Sequence, residues 1–173
     1  MTSEEAESTD STDGRGEAVD LAVRMMPLVR EYDEKWSALD VAGVADLWER
    51  DTPQPMYIGD EYAMPLVGAD QLDRHWARIG SRLKCASVSS QLWSAEALAG
   101  GLTRCILLSR WSFTGLESDI AHTGASWITW LLAARGVGGE KKYRIFHHME
   151  SQVYLEDGFR HGPLLGPDDE PAR

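Results

Sequence analysis

Apolar residues in the front half of the chain recur at helical spacing, and in the back half they gather into long β-rich runs. Leu28, Tyr32, Trp36 and Leu39 follow one another at steps of three and four, which places them on one face of a helix. Pro27 suits the first position of that helix, where its missing N–H has no partner to lose and its φ is already helical. Asp40 offers a side-chain oxygen to cap a second, short helix with Val44, Leu47 and Trp48 pointing inward. Pro53 and Pro55 forbid its continuation. Met56–Tyr62 reads as a short strand or edge segment containing Gly59. Gly68 then opens a third helix, striped by Leu72, Trp76, Ile79 and Leu83.

Beyond that helix the texture changes. Ser87–Ala97, Leu102–Gly115, Ala121–Ala134 and Tyr143–Leu155 are rich in β-formers. Turn signals separate them at Ala99-Gly100-Gly101, at 115–119 and at Gly136-Val137-Gly138-Gly139. Three helices precede four long strands, and short connections mean antiparallel pairing. A curved sheet with the helices on one face buries both kinds of stripe, an α+β arrangement. No internal repeat interrupts this order.

The ends are different in kind. Residues 1–16 are Ser, Thr, Glu, Asp and Gly without apolar periodicity and are expected to be a disordered acidic tail. Residues 158–173 carry three prolines and three glycines and are expected to form a loose tail, leaving 17–157 as the folded domain. A length of 173 residues suits one domain. The 43% hydrophobic content agrees with a globular core. No apolar run approaches the ~18 residues of a membrane-spanning helix. The first segment lacks the basic flank and apolar core of a signal peptide, so a cytoplasmic location is expected. Cys85 and Cys105 are outside any CxxC spacing and read as small buried hydrophobes. Net charge is −11, with 17 basic against 28 acidic residues. That balance leaves no cationic footprint for phosphates, so neither nucleic acid nor an anionic membrane is an expected partner.

Three segments add a family resemblance to this order. EYDEKWSALDVAGVADLWERD (31–51) resembles the opening of the nuclear-transport-factor-2-like superfamily, an amphipathic helix, a kink Asp and a second helix. PLVGADQLDRHW (65–76) resembles its segment where a Gly introduces the third helix, and KKYRIFHHMES (141–151) its last strand. The resemblance covers about residues 20 to 155 and takes in ketosteroid isomerase, scytalone dehydratase and the SnoaL-like cyclases. It implies a cone-shaped barrel, three helices on a curved mixed or antiparallel sheet, around one small-molecule pocket. It also implies a homodimer through the outer sheet face. Such motifs specify a fold and not a reaction. Two positions depart from the pattern. Met149 stands where SnoaL-like sequences often carry His, and Ser37 stands near the Asp that scytalone dehydratase carries on its first helix, which counts against a close match to that enzyme.

The same resemblance nominates site residues. Tyr32, eight residues before Asp40, matches the isomerase's oxyanion-hole Tyr; a phenol there donates to a developing enolate oxygen, or is simply one member of the apolar face. Asp60, eight residues before Gly68, lies within one residue of the isomerase's general base. Sheltered from water, its pKa rises and it can take a carbon-bound proton. Glu61 and Tyr57 take either role if the register slips. On the last strand, alternation puts Arg144, Phe146, His148 and Glu150 on one face. If that face is inner, Glu150 is a second candidate base with His148 beside it. His122 begins the fourth long strand, near the family's second polar group. Trp36, His75 and Trp76 on helices, and Tyr57, Phe146 and Trp127 on strands, are candidates for a substrate-binding wall; an aromatic lining suits an aromatic or polycyclic molecule.

Adjacent His147 and His148 point to opposite faces of a strand, and no HxH, HxxxH or HExxH occurs, so no metal is expected. GxGxxG, GxxxxGK[ST] and GxSxG are missing as well, and no cofactor is expected. The expected function is cofactor-independent acid/base chemistry on a small apolar molecule: isomerase, dehydratase, cyclase or lyase. Formaldehyde-releasing C–C cleavage of a lignin-derived aromatic, known in the family, is included. The alternatives are a non-catalytic binding or scaffold domain and the small subunit of an oxygenase.

Overall fold

The computed structural model describes residues 13–137 and 140–153. It has three helices packed on one six-stranded mixed sheet that does not close. Chain order is α1 (Asp13–Ser37), α2 (Val41–Ala45), β1 (Met56–Ile58), β2 (Leu66–Val67), α3 (Ala69–Gly80), β3 (Leu83–Ala97), β4 (Leu102–Gly115), β5 (Ala121–Val137) and β6 (Glu140–Gln152). Spatial order is β2-β1-β6-β5-β4-β3. The four long strands form an antiparallel meander, and β1 adds to β6 in parallel. None of the described helices is long and apolar enough to cross a membrane.

The first helix starts earlier than its proline indicates. Pro27 lies inside α1, which takes in residues 13–16, expected to belong to the tail. Residues 1–12 and the expected tail at 158–173 lie outside the described residues. A proline in a helix interior costs about 3 kcal/mol. Leu21, Met25, Val29, Tyr32 and Trp36 are all buried on one stripe. At about 1.5–3 kcal/mol for each fully buried side chain, that stripe outweighs the proline, whose ring faces solvent. At the other end Leu39 takes φ 55, and Asp40 caps α2 by accepting from the Gly43 N–H at 2.8 Å.

α3 ends at Gly80, so Leu83 begins β3 and is not the last member of the helical stripe. Its start depends on Gly68, whose φ of 90 belongs to the left-handed side that glycine tolerates. The remaining stripe, with Leu72, His75 and Trp76 buried, seats the helix over the sheet.

Helix α1 also covers the free edge of β3. Asp33 accepts from the Ser90 N–H and the Ser90 hydroxyl, both at 2.7 Å. Ser37 Oγ accepts from the Val88 N–H at 3.1 Å. An edge strand's unpaired N–H groups are thus satisfied by helix side chains instead of water. Ser37, at the position compared with a catalytic Asp, holds backbone.

One irregularity decides which side chains face inward on β6. Leu131 pairs with His147, but Leu132 pairs with Ile145, so Phe146 is an extra residue. A bulge of this kind reverses the alternation beyond it. Ile145 and His148 are therefore both inside, at 0% and 1% exposure, where strict alternation would separate them. The segment at Trp48 bridges to Ile145, with the Glu49 N–H donating to the Ile145 carbonyl at 2.7 Å. Leu107, Trp130, Leu132 and Ile145 fill the inner face at that level. Toward the other end of the strands the interior is hollow.

Asp33→Ala removes the acceptor for two Ser90 donors. It should lower unfolding free energy by about 1–3 kcal/mol, read as a lower urea midpoint. An unchanged midpoint would show that α1 does not hold the β3 edge.

Candidate active site

The hollow end of the sheet is a cavity of about 440 Å³. Tyr32 and Trp36 come from α1, Tyr57 from β1, Asp60 and Glu61 from the turn after it, and His75, Trp76 and Ile79 from α3. The sheet contributes Trp111 and Phe113 of β4, Ile128 of β5 and Glu150 of β6. Aromatic rings dominate the wall. Tyr32 meets Trp130 edge-to-face at 5.0 Å, Trp36 meets Trp76 at 6.1 Å, and Trp111 stacks on Phe113 at 5.4 Å. The volume lies in the range of small-molecule sites, and the lining suits a ring system.

Carboxyl groups stand inside this apolar wall. Glu150 retains 21% side-chain exposure, toward the cavity. The parallel pairing of Tyr57 with His148 brings β1 against β6, and the Tyr57 hydroxyl lies 3.0 Å from Glu150 Oε2. The same hydroxyl lies 2.9 Å from Glu61 Oε1. Behind Glu150, His148 is packed away from the cavity. The Trp130 indole N–H, which can only donate, gives its hydrogen to His148 Nδ1 at 2.9 Å. This sets the tautomer: the imidazole proton sits on Nε2, which faces Glu150 Oε1 at 3.8 Å.

Burial and partners set the protonation states. Burial pushes Glu150 up, but the donors that face it, His148 and the Tyr57 hydroxyl, hold it below its ordinary value of 4.5. Glu61 goes the other way: burial, then the charge of Glu150, raises it. Burial and the Glu150 charge also raise Tyr32 and Tyr57 well above 10, so both phenols remain hydrogen-bond donors. Burial, then the Arg78 charge, pushes His75 down to about 3 and keeps it neutral. Arg78 donates to Tyr62 Oη and lies 4.8 Å over its ring, and Tyr62 Oη is hydrogen-bonded to His75 Nδ1 at 2.8 Å.

Asp60 is at the exposed rim, where one carboxylate oxygen accepts from the Gln152 N–H at 3.1 Å. Its partial burial and the nearby Glu150 charge raise its pKa. The cavity thus gathers Tyr32, Trp36, Tyr57, Asp60, His75, Trp76 and Glu150 from the positions singled out in the sequence, with His148 one layer behind. Three others lie outside its lining. Phe146 is the bulged residue and loses the facing shared with His148. Trp127 is on the outer sheet face, 37% exposed against Trp93, because its parity is opposite to that of buried Trp130. His122 pairs with Phe113 but is not itself among the lining residues. Glu61, read only as a fallback for Asp60, and the rim cations Arg78 and Arg82 are brought in by the turn after β1 and the last turns around α3. Trp111 and Phe113 were open to detection through the two-residue period of β4. Among the described residues no cluster of three or more His, Cys, Asp or Glu is arranged to hold a metal ion.

No protein-family model matches the sequence, and no curated protein matches it. Solved structures do resemble it. A ketosteroid isomerase-like protein from Erwinia carotovora atroseptica superposes with TM-score 0.62 at 13% identity, over 79% of this chain and 98% of that one. A protein from Novosphingobium aromaticivorans assigned as a scytalone dehydratase gives 0.63 at 11% identity, over 87% and 94%. A nuclear transport factor 2-like superfamily protein from Salmonella enterica gives 0.62 at 10% identity, over 82% and 99%. With its three helices, its open six-stranded mixed sheet and its hollow end, the chain has the nuclear-transport-factor-2-like fold.

Proposed function

We propose that the protein is a cofactor-independent acid/base enzyme for a small aromatic or polycyclic carbonyl compound, with Glu150 as general base and Tyr32 as hydrogen-bond donor to the developing oxyanion. The observation that carries this reading is a carboxyl group set into an aromatic wall. Glu150 is held below its ordinary pKa, yet it faces a hollow lined by Trp36, Trp76, Trp111 and Phe113. In such surroundings a carboxylate has few competing waters, and a carbon-bound proton near it is the natural target. Removing that proton puts negative charge on the carbonyl oxygen, where a phenol that stays protonated stabilises it. The resemblance to proteins described as isomerase-like and as a dehydratase supports the same class of reaction. Asp60, at the rim, is better placed to meet the substrate's polar end.

The outer sheet face supports a second element of the proposal, a homodimer. Trp93, Trp127 and Met149 expose 66%, 37% and 41% of their surface there, with the two indoles edge-to-face at 5.6 Å. A second copy of the same face is the occupant that would cover them. Both cysteines are free thiols, which suits a reducing compartment such as the cytoplasm.

Against a panel of aromatic and polycyclic carbonyl compounds, Glu150→Gln should lower kcat/KM about 10²–10⁴-fold. Tyr32→Phe should lower it by about 10²-fold, and Asp60→Asn by much less. The base works ionised and its pKa lies under 4.5, so activity should stay level from neutral pH downward and fall only below that value. An active Glu150→Gln beside a dead Asp60→Asn would reverse the assignment. Sedimentation at micromolar concentration should give a dimer that Trp127→Glu dissociates; a wild-type monomer refutes the interface.

A further inference from the structure

The Tyr57 hydroxyl has one hydrogen and two carboxyl groups within hydrogen-bond reach. Its oxygen lies 2.9 Å from Glu61 Oε1 and 3.0 Å from Glu150 Oε2. If both carboxyls were ionised, each contact would need a hydrogen from the phenol, and the phenol can supply only one. The second hydrogen has to come from a carboxylic acid. We propose that Glu61, Tyr57 and Glu150 form one proton-relay unit that holds a single shared acidic proton, resident on Glu61, so that the cavity presents an acid and a base side by side.

Three further observations support the unit. Among the described residues His148 Nε2 has no hydrogen-bond partner and turns its N–H dipole toward Glu150 Oε1 at 3.8 Å, which favours the ionised form there, so the proton settles on the other carboxyl. Burial and the neighbouring Glu150 charge act on Glu61 in the same direction. Gly59 is the third. A Cβ built there would lie 2.1 Å from Glu61 Oε2 and 2.6 Å from Tyr57 Oη, so the phenol and carboxyl meet directly over a residue with no side chain. The surrounding titratable and charged groups are Tyr32 of α1, Asp60 and Tyr62 of the β1–β2 connection, His75 and Arg78 of α3, Arg82 just after it and His148 of β6.

The catalytic use of this unit rests on the function proposed above. In the loss of water from a β-hydroxy carbonyl compound, Glu150 takes the proton from the carbon next to the carbonyl. The electrons of that C–H bond become the new C=C bond. The C–O bond breaks with its pair on oxygen, and the Glu61 proton turns the departing hydroxide into water. Glu150 now holds a proton and Glu61 is ionised. Tyr57 passes its hydrogen to Glu61 while accepting the one on Glu150, which restores the starting state. No proton is drawn from solvent and no oxidant or reductant is needed.

The test needs no substrate. Protein carrying ¹³C-carboxyl glutamate is titrated by carbon NMR or isotope-edited infrared, with folding checked by circular dichroism. The wild type should show one protonated glutamic acid at neutral pH, and Glu61→Gln should remove that signal. Glu150→Gln and Gly59→Ala, which remove the partner charge and separate the groups, should each move its titration midpoint down by about one pH unit or more. Wild-type protein with every glutamate ionised at neutral pH overturns the relay, as does a midpoint that ignores Glu150→Gln. If either appears while Glu150→Gln remains catalytically dead, the base assignment stands and only the relay falls.

Discussion

A phenol between two carboxyl groups is the contact on which the site depends. Tyr57 can touch both Glu61 and Glu150 only because β1 runs parallel to β6 and because the turn after β1 folds back over a glycine. Three residues of strand therefore bring together groups 93 positions apart in the chain. The bulge at Phe146 is the matching constraint on the other side, since it turns Glu150 inward while Ile145 remains in the core. Polar groups at the cavity and hydrocarbon at the closed end are thus separated along a single strand.

The aromatic wall gives those carboxyls their chemistry. In water two neighbouring glutamates would both ionise, their repulsion weakened by solvent. Against indole and phenyl rings the ionised form is costly unless it is paired, so, as proposed above, one group ionises and the other keeps its proton. The division follows from what each group meets. Glu150 has a phenol and an imidazole whose tautomer is set by Trp130, and Glu61 has the phenol and its own backbone N–H. In the proposed site, acid and base are distinguished by surroundings and not by residue type.

Much of the architecture was legible in the sequence. The stripes through Tyr32, Trp36, Leu72 and Trp76, the cap at Asp40 and the four long strands follow from periodicity and turn chemistry, which are local properties. Local reasoning failed where a long-range term outweighed it. Pro27 marked a helix start that the burial of Leu21 and Met25 overrode. Leu83 fitted a helical stripe but was taken into β3 by pairing with Gly115. Tyr32 and Glu150, read from the first helix and the last strand, do line the cavity, but Phe146 was misplaced because a one-residue bulge leaves no mark in the alternation. Glu61 had no signal of its own. Its role comes from the β1–β6 pairing, and three residues are too few to announce a parallel strand.

Neutron diffraction from a deuterium-exchanged crystal near neutral pH tests the central claim most directly, because it locates hydrogens instead of inferring them. The account predicts one deuteron on Glu61 directed at Tyr57, a second on Tyr57 directed at Glu150, and a bare Glu150 carboxylate facing the cavity. Two bare carboxylates turned away from Tyr57 into ordered water would contradict it.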